Sequence, residues 1–425
     1  TIGWYSPIGT ESSPIIQFFD SMGWHNIAER SIEFFLKRQH KDGFIQNFGG
    51  YESETGPLLW TMGEHFRYTR DVEWLQRVKP YIDKACDYLI AWRNRNKKDE
   101  LRATGNYGLV DGKVADPEDY YHQFFLNAGT YAGLKSSVEM YEQINPEQAD
   151  KLRPEIKAYL GDLRYAFYKT MAEAPIAPTG DGSWAPFMPP WTDKIGATSL
   201  YIRKGNWFTH GAFIVRESLV GPLYLVLHEI IKPDEIGCSF MLKANQSPIT
   251  VENAGLSQPY YCRHDFAHLR RGEVKAFLKT YYNQLTGLID QATYTFWEHY
   301  SHASQHKTHE EAWFLMQTRW MLYIEDNSSL KLFSAIPRKW LEPGKKINLN
   351  NVVLYFGKIR AIVQCSKDGN RITCQIKLPE ERKPDRILVR LPNPSMDLES
   401  IDSAISDLIT PRFFVFLLCV SVSLW

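Results

Sequence analysis

The sequence predicts a mainly α domain of about twelve helices paired as hairpins, followed by a small antiparallel β-domain, and three observations carry that expectation. Up to about residue 326, apolar residues recur at spacings of three and four. Short links then alternate with long loops rich in Gly, Trp, Asp and His. From residue 330 the pattern changes to short alternating or apolar pieces between Gly, Asn, Asp and Pro turns.

Helices are expected over residues 15–22, 27–39, 57–68, 72–92, 120–144 and 154–171. The Pro-rich stretch 174–190 is expected to be an irregular loop. Six more helices are expected over 209–217, 222–231, 234–244, 264–270, 273–286 and 309–323, and strands over 345–350, 352–356, 359–366, 371–378 and 386–391. The division is therefore a helical region 1–328, a β-domain 329–396 and a tail 397–425. Long loops at 41–56, 102–119, 174–208 and 287–308 are too aromatic for disorder and are where function is expected.

With 49 basic and 49 acidic residues, no net field attracts nucleic acid or an anionic membrane. The aromatic fraction of 14%, with 13 Trp and 23 Tyr, exceeds what core packing usually requires and favours a sugar site. Of the six cysteines, only Cys365 and Cys374 are spaced to face each other across a hairpin, and no C-x-x-C pair occurs. The segment from Thr1 to Pro7 reads as the middle of a protein rather than a secretory signal, so a processed or truncated boundary is expected. The apolar run 413–425 is shorter than the roughly 20 residues of a spanning helix. It reads as a final strand, an interfacial tail or a segment out of frame, the last being favoured.

Sugar hydrolysis needs one protonated carboxyl for the leaving oxygen and one ionised carboxylate for water, about 6.5–9.5 Å apart when attack is direct and inverting. Glu298, in Thr295-Phe296-Trp297-Glu298-His299, is the candidate base, because Trp297 offers a stacking face beside a carboxylate; the bland alternative is a helix-capping Glu. For the acid, Glu11 lies in a turn-rich stretch entering a helix, and Glu118 lies in the acidic cluster Asp116-Pro117-Glu118-Asp119, where crowding raises carboxyl pKa values. Glu54 in a glycine-bounded loop, and Asp116 and Asp119, are candidate hydroxyl ligands. Trp60, Trp184, Trp207, Trp297 and Trp313 are candidate stacking walls, and Arg67, His210, Arg263, His264 and His299 candidate hydroxyl donors. His264 and His268 have helix-ligand spacing but lack the H-E-x-x-H glutamate, so no metal and no cofactor are expected.

These residues resemble the six-hairpin glycosidases, and among them the inverting α-L-rhamnosidases. That family carries its base in Thr-Thr-x-Trp-Glu, of which Thr295-Phe296-Trp297-Glu298 keeps Thr-x-Trp-Glu. Its acid lies in Asp-Cys-Pro-x-Arg-x-Glu, of which Pro7 and Glu11 remain at the same interval. Tyr5-Ser6 replaces Asp-Cys and Gly9 replaces Arg, which weakens the sugar assignment relative to the fold. The resemblance implies an (α/α)6 barrel followed by a β-sandwich, and cleavage of a terminal sugar such as α-L-rhamnose from a polysaccharide or glycoconjugate with inversion. It also implies Glu298 as base, Glu11 as acid and a secreted or periplasmic setting. A second likeness, to the glucoamylase and maltose-phosphorylase groups, points to Glu118 as the acid. A polysaccharide lyase centred on residues 260–264 and a non-catalytic glycan-binding protein are the alternative readings.

Overall fold

The computed structural model describes residues 7–114, 121–186, 188–193, 222–244, 246, 263–298, 305–379, 382–392 and 414–419. Its described helices are α1 (Gly9–Ser21), α2 (His25–Leu36), α3 (Thr55–Thr69), α4 (Val72–Arg95), α5 (Phe124–Ile144), α6 (Pro146–Glu173), α7 (Tyr224–Leu227), α8 (Ile236–Ala244), α9 (His264–Arg271), α10 (Val274–Leu288) and α11 (Thr308–Leu322). The helix expected over 209–217 lies outside the described residues.

Two kinds of helix alternate along the first half. α2, α4 and α6 bury one stripe and leave the other to solvent, as apolar spacing of three and four dictates. α3 and α5 are buried nearly all round. Small residues let these two approach closely: a Cβ on Gly133 would lie 2.3 Å from the Gly56 carbonyl oxygen, so neither backbone could hold its place with a larger residue there. α1 packs against α3 on one side and α11 on the other, which brings the first and last described helices together. Alternating inner and outer helices fit an α/α barrel.

Prolines misled the reading of helix starts. α1 begins at Gly9 with Pro14 inside it, because its first turn is held by a tertiary bond from the Gly9 N–H to the Glu54 carboxylate, 2.7 Å. α6 begins at Pro146 rather than 154, with Asn145 as N-cap accepting from the Gln148 N–H and Pro146 where its missing N–H costs nothing. The stretch expected to be irregular over 174–190 contains a hairpin of β1 (Ile176–Pro178) and β2 (Trp184–Pro186), whose prolines sit at strand ends of a two-stranded ribbon. Only one turn, α7, forms within 222–231, since Glu229 at φ 62° breaks the helix.

A β-hairpin, β3 (Ile289–Asp290) with β4 (Thr295–Phe296), follows α10. After α11 come β5 (Tyr323–Asp326), β6 (Ser329–Leu332), β7 (Lys346–Leu354), β8 (Gly357–Cys365), β9 (Ile372–Lys377), β10 (Arg386–Leu391) and β11 (Phe414–Cys419). β7-β8-β9 is the expected antiparallel meander, but the second sheet, β11-β10-β6-β5, is mixed, with β10 running parallel to both β6 and β11. Parallel pairing of β6 with β10 needs a long connection between them, here the stretch carrying β7, β8 and β9, and local alternation does not encode strand direction. β5 precedes residue 329, so this sheet takes its first strand from before the expected boundary. Cys365 pairs with Ile372 and Cys374 with Val363, so the two cysteines are out of register and remain free thiols. Among the described residues no helix is long and apolar enough to cross a membrane.

Candidate active site

Glu11 stands in the first turn of α1, where the N-terminal dipole favours an anion. That turn is fixed from α3. The buried Glu54 carboxylate accepts from the Gly9 N–H through Oε2 and from the Asn47 and Phe48 N–H groups through Oε1, both at 2.9 Å. Thr10 Oγ1 donates to the Ser53 carbonyl at 2.6 Å. Glu54, expected as a hydroxyl ligand, therefore has both oxygens committed to backbone, and burial raises its pKa despite those bonds.

Glu298 follows β4. The Trp297 N–H donates to the Leu288 carbonyl and the Lys307 N–H to the Phe296 carbonyl, so α10, the β3-β4 hairpin and the start of α11 are laced together around this segment. The Glu298 carboxylate is ion-paired, with Oε1 3.0 Å from Lys307 Nζ. From the next turn, His309 presents Nδ1 to Glu11 Oε2 at 3.4 Å and Nε2 to Glu310 Oε1 at 3.0 Å.

Glu11 and Glu298, from opposite ends of the helical region, are thus linked through Lys307, which both carboxylates raise, while His309 faces Glu11. The side chains of Glu11 and Glu298 are 20% and 12% exposed, against 3% for His309 and none for Glu310. Burial alone would raise the Glu11 pKa, but His309 and then Lys307 outweigh it and hold the carboxyl at about 2. Burial would lower His309, yet Glu11 and Glu310 together lift it to about 9. Burial raises Glu310, its largest effect, opposed by His309. Lys307 is raised by the surrounding carboxylates against its own burial. The arrangement sets an ionised Glu11 and two cations beside a fully buried carboxyl whose pKa burial raises.

The remaining candidates divide. Trp297 is next to Glu298. Arg263 and Trp313 come together, with the guanidinium 3.8 Å above the indole, but both are buried, as is His264, whose pKa burial lowers. Trp60 and Arg67 lie farther along α3: Trp60 is edge-on to His228, and Arg67 is paired with Glu64 and Glu139. Both line a cavity of about 480 Å³ toward the C-terminal ends of α3 and α11. Trp184 is on β2, 63% exposed. Asp116, Glu118, Asp119, Trp207, His210 and His299 lie outside the described residues. His268 gives Nδ1 to Glu273 at 2.6 Å rather than joining His264. Lys307 and Glu310 went unmarked in the sequence reading; the signal was a charged run at a helix start, Lys307-Thr308-His309-Glu310-Glu311, directly after the Trp-Glu loop.

No family model matches the chain. One curated relative, an uncharacterized glycosyl hydrolase of Methanocaldococcus jannaschii, is 30% identical over 156 residues, 34% of this chain and 23% of that protein. Two solved structures align across most of the chain. A GH78 family rhamnosidase of Bacillus sp. GL1 does so at TM-score 0.55 and 12% identity, over 90% of this chain and 38% of that one. The α-L-rhamnosidase of Dictyoglumus thermophilum does so at TM-score 0.53 and 10% identity, over 88% and 39%. The chain spans less than two-fifths of the length of each of these proteins. Across nearly nine-tenths of its length, this chain has the fold of a rhamnosidase-like glycoside hydrolase.

Proposed function

We propose that this chain is a glycoside hydrolase that removes a terminal sugar, α-L-rhamnose, from a polysaccharide or glycoconjugate with inversion. One observation carries the reading: Lys307, ion-paired with Glu298, also feels the charge of Glu11, which faces His309 at the N-terminal ends of α1 and α11. Inverting hydrolysis uses two carboxyl groups, one as acid and one as base, and Glu11 and Glu298 are both partly exposed. The fold of the two rhamnosidase structures and the glycosyl hydrolase relative support the class.

In this scheme Glu298, ion-paired with Lys307, takes a proton from the water that attacks the anomeric carbon. Glu11 delivers a proton to the departing oxygen, and Trp297 supplies a stacking face. The (α/α)6 arrangement and β-sandwich belong to the same proposal. The lyase reading loses support because Arg263 and His264, which it needs within reach of a uronate, are fully buried.

The test is a panel of aryl glycosides and rhamnose- or uronate-containing polysaccharides, followed by reducing sugar, ultraviolet absorbance and the anomer first released. Rhamnose release with inversion, lost in Glu298→Gln, is expected. Absorbance gain without sugar release would move the assignment to a lyase, and tight binding without either would make the chain a glycan-binding protein.

A further inference from the structure

His309 is more deeply enclosed than a hydroxyl donor should be. Both of its ring nitrogens face carboxyl oxygens, Nδ1 toward Glu11 and Nε2 toward Glu310, at 3.4 and 3.0 Å. A charged ring between these two carboxyls is attracted to both, whereas a neutral ring gains neither ionic contact. The charged groups around this ring include Glu11 from α1 and Lys307, Glu310 and Glu311 from α11 and its entry, with Glu298 after β4 and Glu54 at the start of α3 beyond them. Three of these carboxyls, Glu11, Glu298 and Glu310, share two cations.

The cluster poses a problem for any acid role of Glu11: beside His309 and Lys307 its carboxyl is ionised at neutral pH. We propose, on the hydrolase reading above, that His309 is the proton store of the leaving-group step, loading Glu11 through Nδ1, while Glu310 holds the ring in place and charged through Nε2. The proton passes from Nδ1 to Glu11 Oε2 when substrate shields the pair from water. From Glu11 it passes to the glycosidic oxygen as the bond to the anomeric carbon breaks and its electron pair stays on that oxygen. Glu298 meanwhile takes one proton from the attacking water, whose oxygen bonds to the anomeric carbon. Return of that proton through solvent to His309 closes the cycle with one water consumed. Glu11 is the group that touches substrate; His309 and Glu310 act through it and are positioning residues.

The arrangement predicts a leaving-group signature. Hydrolysis of a phenyl glycoside requires the acid, and hydrolysis of a glycosyl fluoride does not. His309→Gln should lower kcat on the phenyl glycoside by roughly 10²-fold, with the fluoride rate within a few-fold of wild type, matching Glu11→Gln and unlike Glu298→Gln, which should lose both. Glu310→Gln should move the alkaline limb of kcat/KM to lower pH. Equal loss on both substrates in His309→Gln, or an unmoved alkaline limb in Glu310→Gln, would overturn the store. Imidazole nitrogen NMR separates this from failure of the hydrolase reading. The His309 titration midpoint should fall in Glu11→Gln and in Glu310→Gln; an unchanged midpoint overturns the triad itself, and a wild type that releases no sugar overturns the hydrolase and the relay together.

Discussion

The two ends of α1, α3 and α11 hold charge in opposite ways. At the C-terminal ends the carboxylates are matched in number by cations: Arg67 serves Glu64 and Glu139, Arg319 reaches both oxygens of Glu325 at 2.7 Å, and Arg270 and Lys331 share Asp326. Phenols complete the set, with Tyr355 donating to Glu64 and Tyr68 accepting from Arg319. At the N-terminal ends three carboxyls, Glu11, Glu298 and Glu310, share Lys307 and His309 among the described residues. One end joins the helices to the β-domain through paired charges; the other leaves a proton to be placed. Paired, buried charges fix geometry, while an unevenly shared set can change protonation state and therefore do acid-base work.

Substitutions can break this contrast. The largest effect is expected at the unbalanced end: Glu298→Gln should lower kcat by about 10²- to 10⁴-fold with little change in Tm, measured by sugar release and thermal unfolding together. The paired end should show the reverse. Arg319→Met strands Glu325 without its cation, and removing one partner of such a buried pair costs about 3–5 kcal/mol. Denaturant titration should show that loss while kcat at low temperature is retained.

Smaller effects sharpen it. The His309 pKa is raised from 6.5 to about 9, so its contribution to stability is fully present below pH 6.5 and is lost as pH rises through about 9. Glu11, lowered from 4.5 to about 2, contributes above pH 4.5 and loses that contribution as pH falls through about 2. Wild type should therefore outlast His309→Gln most clearly between pH 4.5 and 6.5, by on the order of 2 kcal/mol. The two should converge by about pH 9, as unfolding curves across that range would show. Equal spacing at pH 6 and pH 9 would mean the pair is not ionised as described. The mildest change is Thr10→Val, which removes the bond to the Ser53 carbonyl that seats the first turn of α1. It should cost about 1 kcal/mol and lower activity only through the position of Glu11, a small fall that a substrate saturation curve would detect.

Helix α2 was legible because its apolar stripe repeats at helical spacing, and Trp297-Glu298 because an indole beside a carboxylate in a loop is a local signature. Glu11 was legible for a similar reason, an acid after a turn-rich entry to a helix. Glu54 looked like a ligand of the same kind, and only its three backbone donors reveal it as the clamp that positions Glu11. Arg67 looked like a hydroxyl donor, yet its acid partner Glu139 is on another helix, α5. No local pattern links such residues.

The amino-acid order by itself determined what short-range physics controls. It set the periodicity of the amphipathic helices, the Asn145-Pro146 start of α6, the alternation of β8 and the residue types at Trp297-Glu298 and Glu11. Only the tertiary structure decided which of those groups share an electric field. The parallel pairing of β10 with β6, the meeting of α1 with α11 and the two cations among three carboxyls all join residues far apart in the chain. Protonation is set by distance and burial, and neither is written in any local stretch of sequence.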